Sequence, residues 1–315
     1  MGTISFVILN YKTYGETIAC AASILTTQTY PDIQIVIVDN GSENGSAEQL
    51  REHFAGEARV HIVAAEQNLG FAQGNNLGIR YAREHFHPDF VVAANSDIIF
   101  EQTDYCEKLY GIYERKPFAV LGADIIDASR TQHFNPVARA RVYTIPYMRK
   151  QALISSCKAW MFRAIRLLRL KKAVAGYYGI ATNEAGVDVS DGSKNLTTRE
   201  VEGRSVSADV RIGEELTDVL LHGCCMVFSK DFFAEFDGFW PETFLYAEEE
   251  ILYYLAKKRG LVMLYSPEVV CMHKEAVTTR QIYTDFCDAK IFYFSNVAKS
   301  YRKFLKLMRE YEVRG

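Results

Sequence analysis

Several features are scarce in this chain, and each scarcity excludes a class of protein. Within its 315 residues no apolar run approaches the roughly 18 residues that a membrane span requires. The opening "MGTISFVILNYKT" lacks the basic region and continuous apolar core of a signal peptide. Phe6 stands where a myristoylation signal wants Ser or Thr. The expectation is a soluble chain, or one attached at most to a membrane surface. Disulfide chemistry is missing too: the seven cysteines are odd in number and form no CxxC pair. That pattern, with Cys224 and Cys225 adjacent, predicts reduced thiols, a cytosolic location and small packing residues rather than nucleophiles. Neither sign of charge dominates, with 36 Lys and Arg against 39 Asp and Glu, so no nucleic-acid partner is expected. The turn after the first apolar run, "NYKTYGET", lacks the GxGxxG glycines and argues against a dinucleotide-binding oxidoreductase. Internal repeats and low-complexity segments are absent.

What is present suits a globular protein with one large domain or two small ones, at 49% hydrophobic and 24% charged residues. "ISFVILN" (4–10) and "IQIVIVDN" (33–40) are β-branched runs that read as buried strands, with a helix over 15–28 between them. Further strands are expected at 59–65, 89–97 and 116–127, and a helix at 74–85. Strands and helices alternating at this spacing predict an α/β fold, a largely parallel sheet flanked by helices. Ligands bind such sheets beyond the carboxyl ends of the strands. Asn10, Asp39, Asn40, Asn95 and Asp97, which close these runs, are therefore expected to gather at one edge. Sheet pattern resumes at 216–229 and 260–273, and a helical tail follows over about 281–312.

Four stretches carry the chemistry. "VDNGS" (38–42) closes a strand with an acid and a tight turn. "NLGFAQGNNLGI" (68–79) offers Gly70, Gly74 and Gly78 for close backbone approach, then a helix whose amides face an anion. "NSD" (95–97) ends a buried strand with a hard carboxylate suited to Mg²⁺ or Mn²⁺. "FLYAEEEILYYLAKKRG" (244–260) sets Glu248, Glu249 and Glu250 at a helix start, where carboxylates are favoured.

In their order and spacing these stretches, with "VILNYKT", "HGCCMVF", "GFWPETFLYAEEEIL" and "VCMH", resemble the family 2 glycosyltransferases of GT-A fold, in particular their rhamnosyltransferase-like branch. The resemblance covers roughly 3–130 and 216–280. It implies a single GT-A domain for nucleotide-diphosphate sugars: a donor half over 1–127, a basic, partly helical insertion and loop over 128–215, a catalytic half over 216–280 and a tail over 281–315. Donor-binding positions would be Asn10, Asp39, Asn40, Asn68, Gly70, Phe71, Gly74, Asn75, Asn95 and Asp97, with Asp39 on the base or ribose. Asn95 stands where the family often has an acid, which leaves Asp97, with His273, as the implied Mg²⁺ or Mn²⁺ ligands. The catalytic base maps to the Glu248-Glu249 pair, with Glu249 as base and Glu248 positioning the acceptor. Glu250 is expected to face solvent, and Phe244, Leu245 and Tyr246 to form a buried wall. The implied reaction is inverting transfer from a dTDP- or UDP-sugar, dTDP-rhamnose among them, to a growing surface or cell-wall glycan, lipid-linked in many relatives. A non-catalytic glycan- or nucleotide-binding role is the competing reading; Asn95 favours it, and Asp97 and Glu249 oppose it.

The middle of the chain differs in charge. Residues 128–183 contain no Asp or Glu, while eleven Arg and Lys lie between Arg130 and Lys172. Residues 184–218 then carry nine acids against four bases and read as a surface loop. On a helical projection of 158–172, Trp160, Met161, Ala164, Ile165, Leu167 and Leu168 share one face, with Lys158, Arg163, Arg166 and Arg169 on the other. Such a helix reads as an element docking on anionic lipid, at the inner face of the cell membrane. A helix packed on the sheet, or a contact in a homo-oligomer, is the alternative.

Overall fold

The computed structural model describes residues 2–139, 142–168, 213–274 and 285–314. Arg169 and most of the acidic loop expected over 184–218 lie outside these. In chain order the elements begin with β1 (Ile4–Asn10), α1 (Tyr14–Thr27), β2 (Ile33–Asp39), α2 (Ser46–His53) and β3 (Val60–Ala64). α3 (Gly70–Phe86), β4 (Phe90–Asn95), β5 (Ile98–Ile99), α4 (Tyr105–Arg115), β6 (Val120–Asp127) and β7 (Ala138–Arg139) follow. Next come α5 (Ile145–Leu167), β8 (Leu216–Thr217), β9 (Val219–Leu220), β10 (Cys225–Ser229) and the short α6 (Lys230–Phe233). α7 (Glu248–Lys258), β11 (Met263–His273) and α8 (Phe286–Arg314) complete the described chain.

Two compact units are present. The first takes in Met1–Arg141, Val206–Phe244 and Glu248–Lys274, and the second Val142–Ser205, Leu245–Ala247 and Glu275–Gly315. The first unit is built on a sheet of order β3-β2-β1-β4-β10-β6-β11-β5, with β8 also paired to β11. β3, β2, β1 and β4 are parallel. β1, β2 and β4 carry largely apolar runs that suit strands covered on both faces, and Ile4, Phe6, Val7 and Ile8 have no exposed surface, whereas β3 at the edge is only partly buried.

The sheet is more mixed than expected. β10 runs antiparallel to both β4 and β6, and β11 is parallel to β6 but antiparallel to β5 and β8. The sheet pattern expected over 216–229 is divided among β8, β9 and β10. Asp218, at φ 57°, turns the chain out of line, so β9 pairs with β7 in a separate two-stranded sheet. Tyr253 donates to the Asp218 carboxylate at 2.7 Å and Lys257 at 2.8 Å, fixing that kink against α7.

α3 lies unusually close to the sheet. A Cβ at Gly78 would come within 2.5 Å of Val7 and 2.7 Å of Val38, so a larger residue there forces the helix off β1 and β2. The second unit centres on α5 against α8. Thr144 caps α5 through its hydroxyl, which accepts from the Tyr147 amide, and Pro146 occupies the first turn. Phe162 is buried between Phe286 and Phe294, both at ring distances of 5.8 Å.

Gly78→Ala is expected to destabilise the chain by about 1–3 kcal/mol through overpacking. Urea unfolding of the two proteins measures it, as a lower midpoint at unchanged slope.

Candidate functional site

The carboxyl edge of the first unit collects the predicted residues from distant parts of the chain. At the ends of β1 and β2, Asn10 Nδ2 donates to Asp39 Oδ1 at 2.5 Å, and Asn10 Oδ1 accepts from the Thr17 hydroxyl at 2.8 Å. The Ser42 amide donates to Asp39 Oδ2 at 3.2 Å, closing the turn that "NGS" predicts. Asp39 is thus a buried acid held by an amide side chain and a turn N–H.

Asn40 organises the next loop. Its Nδ2 donates to Asn68 Oδ1 (3.2 Å) and to the Gly70 carbonyl (3.1 Å), and its Oδ1 accepts from the Leu69 amide at 2.9 Å. Gly70 opens α3 at φ 80°, where a Cβ would meet the Phe244 carbonyl at 2.2 Å. Only glycine fits both demands. That approach lets Phe71 donate its amide to the same carbonyl at 2.7 Å. Gly74 sits against Leu9 and Asn40, and Asn75 is buried with its Nδ2 turned back onto the Phe71 carbonyl at 3.0 Å.

One face of α3 also grips the segment leading to the acidic helix. Asn76 exchanges two hydrogen bonds with the Phe239 backbone, each 2.7 Å, and Gln73 donates to the Pro241 carbonyl at 2.9 Å. Phe244 itself is 42% exposed, which corrects the expectation of a buried wall. Its backbone carbonyl, not its ring, makes the structural contact. Tyr246 and Ala247 then adopt left-handed conformations at φ 72° and 71°, each costing about 1–3 kcal/mol for a residue with a side chain. This places strain directly before Glu248.

The three glutamates are far from equivalent. Glu250 is 5% exposed, not solvent-facing as expected, because α7 is covered on nearly every side from Glu250 to Ala256. Glu248 is equally buried. Burial, and next the neighbouring Glu249 charge, push its carboxyl up to about 8 against the opposing pull of its backbone amide and Thr243. Glu249 is less buried than its two neighbours, and its Oε1 accepts from the Gly223 amide at 3.3 Å. A Cβ at Gly223 would come within 2.7 Å of that same oxygen, so the absent side chain leaves room for the carboxylate.

A second group forms where β5 meets the end of β11. Ile98 pairs with His273 and Ile99 with Met272, and the Lys274 amide donates to the Asp97 carbonyl at 3.0 Å. The result brings Asp97 Oδ2 within 3.3 Å of His273 Nε2, both side chains under a tenth exposed. Burial works to raise the Asp97 carboxyl, but the facing His273, the Asp97 amide and His222 together hold it below the usual carboxylate value. Asn95, at the end of β4, donates its amide to the Cys224 carbonyl at 2.8 Å.

Asp97 and His273, in contact with each other at 3.3 Å, are the carboxylate and imidazole that could hold a divalent cation whose other ligands are waters and phosphate oxygens. An imidazole beside a carboxylate favours Mn²⁺ over Mg²⁺. Among the described residues no group of three or more His, Cys, Asp or Glu is arranged to hold a metal by itself.

Sequence reasoning assigned no role to His222, though "HGCC" contains it. Its ring lies 6.1 Å from that of His273, with Phe134 6.2 Å from one and 5.8 Å from the other. The Cys224 amide donates to its Nδ1 at 3.2 Å, which leaves the neutral ring's proton on Nε2. The buried Asn135 accepts from the His222 amide and donates to the Ala123 carbonyl, anchoring this loop to β6. A histidine three residues before a buried strand was the available signal. Cys224 and Cys225 are buried, as packing residues would be.

A strand-edge acid in a turn, a glycine-opened helix, a facing acid–imidazole pair and an exposed-side glutamate now stand on one unit. The sequence model described as Glycosyl transferase family 2 matches residues 5–171, more than half of the chain. The chain belongs to glycosyl transferase family 2. Its family relatives include the glycosyltransferase GlyG of Streptococcus pneumoniae, 32% identical over 120 residues that make up 38% of each protein. The low-salt glycan biosynthesis hexosyltransferase Agl10 of Haloferax volcanii is 26% identical over 39% of this chain and 37% of its own. The chain therefore matches well under half the length of these relatives. A solved structure of GalNAc-T7, with UDP, GalNAc and Mn²⁺, shares the fold at a TM-score of 0.53 and 15% identity, over 87% of this chain and 44% of that one. This is the GT-A fold expected from the motifs. The relatives named above do not extend this assignment to a rhamnosyltransferase-like branch.

The raised Glu248 carboxyl has a consequence for stability. Its folded value near 8 exceeds the unfolded value of 4.5, so folding takes up a proton between those pH values. That contribution is complete below pH 4.5 and is lost as pH rises through 8. Glu248→Gln is expected to flatten the fall in Tm between pH 5 and pH 9 relative to the native chain. Differential scanning calorimetry across that range measures it.

Proposed function

We propose that this chain is an inverting glycosyltransferase, moving a sugar from a nucleotide-diphosphate sugar to a hydroxyl of a growing surface or cell-wall glycan carried on lipid at the inner membrane face. The observation that carries this reading is the division of labour in the glutamate triplet. Glu248 is buried with its carboxyl pushed up by that burial, Glu250 is buried, and Glu249 is the less buried one, accepting from the Gly223 amide where a missing side chain leaves room for its carboxylate.

In this reading residues 1–127 form the donor half and 216–280 the catalytic half. Asp39, with Asn10 and the 40–42 turn, holds the nucleoside, and the turn through Asn68, Gly70 and Phe71 leads the diphosphate toward the start of α3. The acceptor hydroxyl oxygen attacks the anomeric carbon from the side opposite the diphosphate. The new C–O bond forms as the bond to diphosphate oxygen breaks, Glu249 takes the hydroxyl proton, and the nucleoside diphosphate leaves. Asp97 and His273 would hold a divalent cation, which offsets the charge developing on that leaving group. A neutral Glu248 next to the base keeps a second negative charge away from it and donates a hydrogen bond to the acceptor. The donor is a dTDP- or UDP-sugar, with dTDP-rhamnose favoured by the motif resemblance. A binding role without turnover, which the Asn95 amide favours, predicts nucleotide-sugar binding but no donor hydrolysis.

Glu249→Gln is expected to lower transfer by about 10²–10⁴-fold, the usual worth of a general base, with nucleotide binding retained. Glu250→Gln is expected to lower Tm and leave the rate near native, because that side chain is buried in the helix packing. Thermal shift over UDP- and dTDP-sugars, with and without Mn²⁺, selects the donor, and turnover of the selected donor then compares the variants. Equal rate losses in both variants, or no donor turnover in the native chain, count against the assignment.

A further inference from the structure

α5 carries two apolar faces. Met148, Ala152, Ala159 and Phe162 are buried on the inner face. On the outer face Leu153, Trp160, Met161, Leu167 and Leu168 are 65%, 69%, 44%, 83% and 65% exposed. At 100° per residue these two sets centre on opposite sides of the helix. The sequence projection identified the outer face, and the structure shows that α8 covers the other one. Large apolar residues at a surface are ordinary when scattered, but these form one stripe about 22 Å long, at 1.5 Å per residue.

The surroundings of the stripe are cationic. Arg149, Lys150, Lys158 and Arg163 are exposed along the helix, and no acid occurs anywhere over 128–183. The Arg163 guanidinium lies over the Trp160 ring, 5.6 Å from its centre. Arginines 163 and 166 also have structural duties within this unit. Arg163 donates to the Ser295 hydroxyl at 2.9 Å, and Arg166 is ion-paired with Asp288. Membrane affinity therefore falls on the apolar stripe in a positive field rather than on these two charges alone.

We infer that the outer face of α5 docks on an anionic lipid bilayer, with Trp160, Met161, Leu167 and Leu168 at the boundary between headgroups and acyl chains. This deepens the reading of a lipid-carried acceptor and rests on it for its purpose, though not for its physics. A second copy of the chain is a poorer occupant: a two-fold contact sets the cationic borders of two α5 helices against each other, with no acid on the helix to answer them. Phosphate headgroups supply that complement.

The test uses the full chain, vesicles of phosphatidylcholine with and without phosphatidylserine, and the triple variant Trp160→Ser, Leu167→Ser, Leu168→Ser. Co-sedimentation is expected with the anionic vesicles only, weakened by salt, and reduced about tenfold or more in the variant, which buries less apolar surface. In a Trp240→Phe background, Trp160 emission shifts to shorter wavelength when anionic vesicles are added. The variant keeps its Tm and its thermal-shift response to nucleotide sugars, since every replaced side chain is exposed. Absence of binding by the native chain, equal binding by the variant, or concentration-dependent dimerisation abolished by the variant would overturn the inference. Failure of the transferase reading shows up separately, as no nucleotide-sugar response and no turnover in the native chain.

Discussion

β5 is two residues long, yet its antiparallel pairing with Met272 and His273 joins the donor-side edge of the sheet to its far strand. Asp97 lies two residues beyond β4 and His273 ends β11, and this ladder is what sets them side by side. With it, an acid and an imidazole separated by most of the chain sit 3.3 Å apart in a dry setting. Such a setting strengthens charge interactions, and it explains why Asp97 stays ionised although burial alone opposes its charge. The Asp97 carbonyl and the Lys274 amide extend the ladder, and Lys274 also reaches Glu16 on α1 at 2.9 Å.

α3 supplies the second constraint. The glycines that open it allow the helix to lie on β1 and β2 and let Phe71 bond the Phe244 carbonyl. Gln73 and Asn76, about one and two turns along, hold 239–241. The helix whose start would meet the donor thus also sets the approach of the chain to the glutamates. Under the proposed function, a shift in α3 would move the donor site and the base together, because one rigid element holds both.

Much of this was legible in the residues. β1 to β4 follow from short, largely apolar runs and the Asp39 turn from residue type and place, but the helix expected from 74 already begins at Gly70 and the strand expected to reach 97 ends at Asn95. The remainder depends on neighbours that local sequence does not name. The direction of β10 is one example, since "CMVFS" has the same pattern in a parallel or an antiparallel strand. Glu250 was expected to face solvent because acids at helix starts usually do, yet α7 is enclosed and Glu250 with it. Phe244 looked like core, but the chain uses its carbonyl. α5 has apolar residues on opposite sides, and only the presence of α8 decides which side is covered. Gly223 and His222 escaped notice because their meaning lies in what approaches them: a carboxylate in one case, a second imidazole in the other.

The account stands on Asp97 and His273 acting as one unit assembled by the β5–β11 ladder. Calorimetric titration of nucleoside diphosphate in the presence of Mn²⁺, on the native chain, Asp97→Ala, His273→Ala and the double variant, addresses this directly. Each single variant is predicted to lose the Mn²⁺-dependent part of the affinity, and the double variant to lose little more than either, as expected for residues that share one ligand. Losses that simply add, or affinity that does not respond to Mn²⁺ in the native chain, would contradict it.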